Sequence, residues 1–324
     1  MTDFSFSTLT PERLLDALSS IAIYPESGLL ALNSYENRVY QFLSDDGNRY
    51  VVKFYRSGRW NDDQILEEHQ FCLELAGAEV PVIAPISIQN KTLHHWEDVR
   101  FALFPSVGGR SFEVDSLDQL AQLGRYLGRL HQIAGKIPFS HRLQLSIESY
   151  IDEPLVELEN WLPESLHESF FTIARQVADE VREQYCVVPD QLIRLHGDCH
   201  PGNILWREGP QLVDLDDARM GPAVQDLWML LNGERQERLL QLDLLLEGYE
   251  DFCSFQSAQL CLIEPLRAMR MIHYMGWLAK RWQDPAFQQA FPWFNSQQYW
   301  QNQILSLKEQ LASLREPPLT LFLG

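Results

Sequence analysis

The stretch from residue 196 to residue 217 constrains this chain more than any other. It contains HGDCHPGN, the short apolar run ILW, a turn around Gly209, and LVDLDD. Acidic, imidazole and amide side chains therefore stand between apolar runs that have the length of core strands. Burying polar groups is costly unless they are hydrogen bonded or take part in chemistry, so this concentration indicates a functional segment.

The spacing of polar residues in this stretch predicts phosphoryl transfer. Asp198 and Asn203 are five residues apart, as are the aspartate and asparagine of the protein-kinase catalytic loop. Asp214 follows a predicted strand, turn and strand, where the metal-binding aspartate of a kinase falls. Asp198 is the candidate proton acceptor, and Asn203 and Asp214 are candidate Mg²⁺ ligands. Asp216 is a rival ligand, because alternation in an extended segment would place it on the same side as Asp214.

Two other site types are weaker interpretations of the same stretch. His196 and His200 have the i,i+4 spacing of a zinc pair if the segment is helical. Gly197, Pro201 and Gly202 instead predict a loop. A hydrolase triad would need a nucleophile motif such as G-x-S-x-G, which the stretch lacks.

The N-terminal third predicts a β-rich region with a lysine in one strand. Residues 50–55 alternate as a strand, and Lys53 stands in it among apolar residues. Lys53 is either an edge-strand lysine that points to water or a lysine that holds nucleotide phosphates in a cleft. Residues 62–75 predict a helix that carries Glu67 and Glu68. Either glutamate could be a solvated charge on the helix surface. If Lys53 faces a cleft, we expect Glu68 to be its ion-pair partner, with Glu67 as the alternative.

A Pro- and Gly-rich connector, FPSVGGR at 104–110, predicts the boundary between two lobes. Residues 80–86 are predicted to form a strand before it, and residues 116–134 and 257–282 to form helices after it. The predicted fold is α+β and protein-kinase-like, with two lobes. Residues 1–105 form a small β-rich nucleotide-binding lobe, and residues 106–324 form a larger, mostly helical lobe with the catalytic loop and metal site.

Three charged residues C-terminal to residue 217 also have predicted roles. Asp226 is predicted to accept backbone N–H groups near the catalytic loop. Arg267 and Arg270 share one face of the predicted helix 257–282, since they are three residues apart. They are either contacts for phosphate or substrate, or surface ion pairs with Glu264.

Composition limits the partners and the compartment. The 26 Lys and Arg residues against 45 Asp and Glu residues give a net charge of −19, which disfavours nucleic acid as a partner. No apolar run of about 18 residues predicts a membrane span, and the N-terminus lacks the pattern of a signal peptide. The five cysteines form no CxxC pair and are predicted to be free thiols in a reducing, cytoplasmic compartment.

The motif HGDxHxxN followed by VDLDDA resembles the aminoglycoside phosphotransferase/choline kinase group of protein-kinase-like folds. LNSYENRVY at 32–40, VKFYR at 52–56, FPSVGG at 104–109 and EPLRAMR at 264–270 extend the resemblance over nearly the whole chain. It implies an ATP-dependent serine/threonine protein kinase of the bacterial stress response, cytoplasmic and monomeric. It also implies that Asp198 accepts the proton, that Asn203 and Asp214 bind Mg²⁺, and that Asp214 is one of the active-site residues.

For the nucleotide, the resemblance implies that Lys53 holds the α- and β-phosphates of ATP and that Glu68 fixes Lys53. Ser34 would lie beside ATP in the loop over the nucleotide. This loop, residues 33–38, contains no glycine, unlike the G-x-G-x-x-G loop of ordinary protein kinases. Ser34 and backbone amides would therefore have to replace the glycines there.

Two alternatives remain open at this point. A small-molecule kinase on the same fold would phosphorylate an amino alcohol or a sugar, and motif spacing does not separate it from a protein kinase. No long acidic stripe follows the motif, which disfavours a cationic acceptor. A catalytically inactive binding module is disfavoured because the set Lys53, Asp198, Asn203 and Asp214 is intact.

Overall fold

The computed structural model describes residues 9–114, 116–187 and 191–321. The described residues fall into two compact units. The first is drawn from Met1–Glu113, Phe139–Arg142 and Pro201–Ala218, and the second from Val114–Pro138, Leu143–His200 and Arg219–Gly324. The predicted lobes, 1–105 and 106–324, are contiguous, whereas these units are not. Segments 139–142 and 201–218 join the first unit because they hydrogen bond to its residues.

The strands are short and the helices vary widely in length. The strands are β1 (Leu30–Ala31), β2 (Arg38–Leu43), β3 (Arg49–Phe54), β4 (His94–Trp96), β5 (Val99–Pro105), β6 (Arg110–Ser111), β7 (Leu192–Leu195), β8 (Ile204–Trp206), β9 (Pro210–Leu212) and β10 (Arg219–Pro222). The α-helices are α1 (Pro11–Ser19), α2 (Asp62–Gly77), α3 (Leu117–Ala134), α4 (Glu153–Leu158), α5 (Glu164–Gln184), α6 (Gln225–Trp228), α7 (Arg235–Tyr249), α8 (Ile263–Arg281), α9 (Pro285–Ala290) and α10 (Gln297–Leu314).

The first unit contains a five-stranded antiparallel sheet in the order β1-β2-β3-β5-β4. One face of the sheet packs against α1 around Leu18, Phe42 and Phe101. The other face packs around Tyr55 and Ile65, and Ile65 belongs to α2. The sheet therefore has an apolar core on both faces, and its central strand β3 is enclosed.

Helix α2 begins where its sequence supplies a capping box. The side chain of Asn61 accepts a hydrogen bond from the backbone of Gln64 at 2.9 Å, and the Gln64 side chain accepts one from the backbone of Asn61 at 3.0 Å. Asp62 and Asp63 follow in the first turn, where negative charge is favourable to the helix dipole. The helix predicted at 62–75 is confirmed.

The predicted strand at 80–86 is wrong. Val82 forms an isolated bridge to Leu212, and the segment makes no regular ladder. Pro81 and Pro85 have no backbone N–H to donate, which explains the interruption. The helix predicted at 257–282 begins with a 3₁₀ segment, Ser257–Leu262, and only then becomes α8.

The second unit is mainly helical, with one two-stranded ladder that pairs β7 with β10. Its helices α3 and α7 cross at backbone contact. A Cβ atom at Gly128 would lie 2.2 Å from the carbonyl oxygen of Tyr249, and one at Gly124 would lie 2.0 Å from that of Leu245. Only glycine permits this approach. Within the described ranges, none of the helices has the length and apolar character needed to span a bilayer.

Candidate active site

Lys53 lies in an enclosed strand of the first unit. It pairs with Val39 of β2 and Ala102 of β5, and it is only 7% exposed. The interpretation as an edge-strand lysine is therefore wrong. Its Nζ lies 2.7 Å from Oδ1 of Asp214 and 3.5 Å from Oδ1 of Asp216. The structure thus brings Lys53 to the acidic segment predicted to bind metal.

Burial alone would lower the pKa of Lys53, since desolvation disfavours its charged form. The negative charges of Asp214 and Asp216 outweigh burial and raise this pKa well above its ordinary value. Lys53 is therefore a positive charge at neutral pH, held in a place where water contributes little to its solvation.

A β-hairpin brings Asn203 and Asp214 to neighbouring positions. Strands β8 and β9 pair Ile204 with Leu212, and the backbone N–H of Val213 donates to the carbonyl of Asn203 at 3.0 Å. Asn203 is therefore opposite Val213, the residue before Asp214. Asp214 has φ 61°, a left-handed conformation that turns the chain away from the hairpin. Its side chain is about half exposed. The carboxylate of Asp214 and the amide of Asn203 each carry the hard oxygen donors that Mg²⁺ prefers.

Two cations and a side-chain amide contact the carboxylate of Asp216. Its Oδ2 lies 2.5 Å from Nη1 of Arg59 and accepts from Nδ2 of Asn37 at 3.2 Å, while Lys53 faces Oδ1. Burial raises the pKa of Asp216, but Arg59 and Lys53 outweigh it and lower this pKa to about 2. The assumption of an extended segment is wrong, because Leu215–Asp217 is a 3₁₀ turn. Asp214 and Asp216 nevertheless both reach Lys53.

The expected ion pair between Lys53 and Glu68 does not form. Glu68 is 1% exposed, its Oε2 lies 3.6 Å from Nη2 of Arg142, and its Oε1 accepts from the thiol of Cys72 at 3.4 Å. Burial raises the pKa of Glu68, although Lys53 and Arg142 lower it. Arg142 is the reason for the difference, because it takes the position beside Glu68 that we expected Lys53 to occupy.

Glu67, the alternative partner of Lys53, caps a loop instead. Its carboxylate accepts three consecutive backbone N–H groups, from Ser140 at 2.5 Å, His141 at 2.9 Å and Arg142 at 2.7 Å. Three amide donors satisfy the carboxylate locally. Glu67 therefore fixes the segment that delivers Arg142 to the site.

Ser34 lies in the glycine-free loop between β1 and β2, where it is partly exposed. Arg56 holds this loop: its guanidinium donates to the carbonyl of Glu36 at 2.8 Å and to that of Tyr35 at 3.2 Å. The backbone N–H of Arg56 also donates to Oδ1 of Asn37 at 3.1 Å. A buried arginine thus fixes the path of the loop without glycine.

Sequence reasoning missed Arg59, whose guanidinium connects the loop at residues 33–38 to the 3₁₀ turn Leu215–Asp217. Its guanidinium lies 2.9 Å from Asp217 and 3.8 Å from Glu36, in addition to its contact with Asp216. Burial lowers the pKa of Arg59, and the charges of Asp216, Asp217 and Glu36 more than compensate. Arg59 follows β3 in a short loop, where no periodic pattern marks it. Its only sequence signal is a position six residues after Lys53.

The segment with Asp198 belongs to the second unit, where Asp226 fixes its backbone. Asp226 is fully buried and accepts from the backbone N–H of His196 at 2.7 Å and of Gly197 at 2.9 Å. Gly197 has φ +87°, which favours glycine. The predicted role of Asp226 is confirmed. His131 on α3 contacts the same carboxylate at 3.1 Å.

The carboxylate of Asp198 faces two basic side chains. Oδ1 lies 2.6 Å from Nη1 of Arg270, and Oδ2 lies 3.4 Å from Nε2 of His200. Arg267, in contrast, lies 3.5 Å from Glu264 and stacks over Trp228. The sequence did not distinguish Arg267 from Arg270, but the structure does. Arg267 pairs with Glu264, which is one of the two interpretations, whereas Arg270 contacts Asp198, the candidate proton acceptor.

The zinc interpretation has no geometric support. Residues 196–200 are not helical, and Pro201–Asn203 forms a 3₁₀ turn. Across residues 9–114, 116–187 and 191–321, no three His, Cys, Asp or Glu side chains are grouped as a metal centre.

An antiparallel sheet with an enclosed lysine, a hairpin that presents Asn203 and Asp214, and a helical unit with the HGD segment together define a kinase-like phosphotransferase. The model of the phosphotransferase enzyme family matches residues 29–261. The chain therefore belongs to this family, and the predicted fold and kinase class are confirmed.

Close relatives carry kinase names. The chain is 51% identical over 324 residues to stress response kinase A of Escherichia coli (strain K12), covering 98% of this chain and 97% of the relative. It is 51% identical over 321 residues to the serine/threonine protein kinase RdoA of Salmonella typhimurium (strain LT2), with the same coverage. These similarities bear out the resemblance drawn from the motifs.

Solved structures share the fold at low sequence identity. An amicoumacin kinase, hAmiN, matches with a TM-score of 0.74 and 20% identity, over 95% of each chain. A microcompartment-associated aminopropanol kinase matches with a TM-score of 0.70 and 18% identity, over 93% of this chain and 97% of that chain.

Proposed function

We propose that this kinase transfers the γ-phosphate of Mg·ATP to a serine or threonine hydroxyl of a protein in a bacterial stress response, as a cytoplasmic monomer. The observation that carries the proposal is the contact between the buried ammonium of Lys53 and the half-exposed carboxylate of Asp214. A buried cation suits the negative phosphates of Mg·ATP, and a carboxylate with hard oxygen donors suits its metal ion. The relatives named as stress-response and serine/threonine protein kinases support the acceptor and the setting.

In the proposed nucleotide site, Lys53 would donate to the α- and β-phosphates, and Asn203 and Asp214 would supply oxygen ligands to Mg²⁺. The metal, when bound, would neutralise charge on the β- and γ-phosphates. Glu68 supports the charge of Lys53 through its field rather than through contact. Ser34 and neighbouring backbone amides would lie beside ATP, in the loop whose path Arg56 fixes through the Glu36 carbonyl.

In the proposed transfer step, Asp198 orients the acceptor hydroxyl and takes its proton. The hydroxyl oxygen forms a bond to the γ-phosphorus, the bond from that phosphorus to the bridging oxygen breaks, and ADP leaves with the electron pair. Asp226 contributes by fixing the backbone before Asp198, since its carboxylate holds two successive amides. A base held in one place favours proton transfer at the moment of attack.

A second candidate is a kinase that acts on a small alcohol. The names of solved structures with this fold favour it, because an amicoumacin kinase and an aminopropanol kinase are among them. Those proteins are at most 20% identical to this chain, whereas the relatives named as stress-response or serine/threonine protein kinases are 51% identical. We therefore place the protein acceptor first.

The test replaces the proposed proton acceptor. Asp198→Ala should lower γ-phosphate transfer to protein by at least ~10²-fold, because loss of a general base typically costs that much. Nucleotide binding, measured by calorimetry with Mg·ATP, should persist. Asp179→Ala is the matched control, since Asp179 is an exposed helical acid of the same unit that pairs with Arg182. It should transfer at the wild-type rate.

Two outcomes would overturn the proposal. Undiminished phosphorylation of protein by Asp198→Ala would remove Asp198 from the reaction. Transfer by the wild type to amino alcohols or sugars, with none to serine or threonine in protein, would instead select the second candidate.

A further inference from the structure

Arg270 places a positive charge directly on the proposed proton acceptor. Its Nη1 lies 2.6 Å from Oδ1 of Asp198. Arg270 belongs to α8, and its side chain is 40% exposed, whereas that of Asp198 is 22% exposed. Both residues lie in the second unit. The guanidinium therefore contacts Asp198 on one side and keeps a large part of its surface in water.

This position sets the charge that an incoming acceptor meets. An acceptor whose hydroxyl reaches Asp198 must come close to Arg270 as well. A cationic acceptor, such as an amino alcohol, would approach the exposed guanidinium as a like charge and could not take the place of Asp198 beside it, which disfavours binding. An acceptor with a carboxylate near its hydroxyl would meet opposite charge instead. His200, at 3.4 Å from Oδ2 of Asp198, adds a second basic group to the same carboxylate.

We infer that Arg270 selects an acidic acceptor: a serine or threonine in a peptide that carries a glutamate or aspartate next to it. The inference rests on the proposed function, because it gives Asp198 its role at the acceptor hydroxyl. Arg270 recognises the acceptor in addition to positioning Asp198. A guanidinium has five N–H donors in a fixed fork and binds carboxylates with two parallel hydrogen bonds, so it is suited to share or exchange two carboxylates.

The exchange is inexpensive on the arginine side, because the Arg270 side chain is 40% exposed, while Oδ1 of Asp198 is itself buried. Ion pairs in contact with water contribute little net stability, since water solvates both groups when they separate. Arg270 can therefore turn from Asp198 to the acceptor carboxylate as the acceptor hydroxyl approaches Asp198. The oxygen that Arg270 releases then becomes available to the acceptor proton.

The experiment compares acceptors that differ only in charge. Three peptides carry the same serine, with glutamate, glutamine or lysine beside it, and a hydroxy acid and an amino alcohol of equal size accompany them. Phosphorylation of each is measured with Mg·ATP and the full-length protein. We expect kcat/KM for the glutamate peptide to exceed that for the lysine peptide by at least about tenfold, or about 1.4 kcal/mol.

Variants assign this preference to Arg270. Arg270→Met should reduce the ratio of glutamate to lysine peptides about two- to fivefold, since one charge pair near a surface contributes on the order of that factor. Arg270→Lys, which keeps the charge but not the fork, should retain part of the ratio. Arg267→Met is the matched control, because Arg267 lies one turn earlier on α8 and pairs with Glu264. It should keep the wild-type ratio.

The outcomes separate this inference from the proposed function. A wild-type preference for the lysine peptide or the amino alcohol would overturn the inference, whatever the variants do. An equal loss of the ratio in Arg267→Met would also overturn it, because the effect would not be specific to Arg270. Transfer to the hydroxy acid but to no peptide would overturn both the protein acceptor and the inference, which requires an acidic peptide.

Discussion

Replacing Asp216 by asparagine should destabilise the first unit by about 2 kcal/mol at neutral pH. Asp216 is 3% exposed, and its folded pKa of about 2 lies below its ordinary value of 3.8. That difference corresponds to about 2 kcal/mol, since each pH unit is worth about 1.4 kcal/mol. Asparagine keeps the shape and loses the charge, so Asp216→Asn removes this contribution and leaves Arg59 with less compensation.

The destabilisation should depend on pH in a defined direction. Because the folded pKa of Asp216 is depressed, its contribution is fully present above about pH 4 and is lost as pH falls toward about pH 2. The asparagine variant has no group to protonate at this position. Its stability should therefore approach that of the wild type as pH falls, with about 1 kcal/mol of the difference gone at about pH 3.

The assay is urea unfolding at about pH 7, 4 and 3, followed by tryptophan fluorescence, with hydrogen exchange of β3 to report on the first unit. Asp217→Asn is the matched control, since Asp217 is adjacent, contacts the same Arg59 at 2.9 Å and is 35% exposed. Its cost should stay below about 1 kcal/mol, as for exposed pairs. Equal stability of Asp216→Asn and wild type at pH 7, or a difference that does not change with pH, would refute the reasoning.

Two further predictions concern packing and titration. Gly128→Ala should lower the free energy of unfolding by about 2 kcal/mol in urea titrations, because contact with the Tyr249 backbone outweighs the gain in helix propensity of about 1 kcal/mol. Gly135→Ala, where a Cβ meets nothing closer than 3.4 Å, should change it by less than about 0.5 kcal/mol, and an equal loss in both would contradict the packing argument. His69, whose pKa is lowered to about 3 chiefly by burial and which contacts the Tyr55 hydroxyl, should stay neutral down to about pH 5 in NMR titrations. Because the folded pKa of His69 is depressed, the free energy of unfolding should fall as pH drops below about 6.5. A titration midpoint of His69 near 6.5 in the folded protein would refute both statements.

Local sequence patterns predicted the residues that carry the proposed nucleotide chemistry. The alternation of residues 50–55 predicted the strand that carries Lys53 but left open whether the lysine points to water or holds nucleotide phosphates, and the family resemblance implied the second. Asn203 and Asp214 follow from their spacing across a strand, turn and strand, and the structure has a hairpin there. The roles of these residues in transfer remain predictions.

The cation network could not be predicted in the same way. Arg59 contacts Asp216, far along the chain, and Arg142 contacts Glu68 from a segment that no motif marks. Such pairs depend on the tertiary path of the backbone rather than on a local period. For that reason the sequence suggested Lys53 as the partner of Glu68, although a more distant arginine takes that position.

Two adjacent glutamates, Glu67 and Glu68, connect helix α2 to the segment that contains Arg142. The Glu67 carboxylate accepts hydrogen bonds from three backbone amides, of which the last is that of Arg142. The Arg142 guanidinium lies near Glu68 and donates to the backbone carbonyl of Asp216 at 2.6 Å. The helix and the acidic turn are thus tied to one intermediary. Displacement of α2 would therefore strain the contact between Arg142 and the backbone of the Leu215–Asp217 turn, which carries one of the carboxylates that face Lys53.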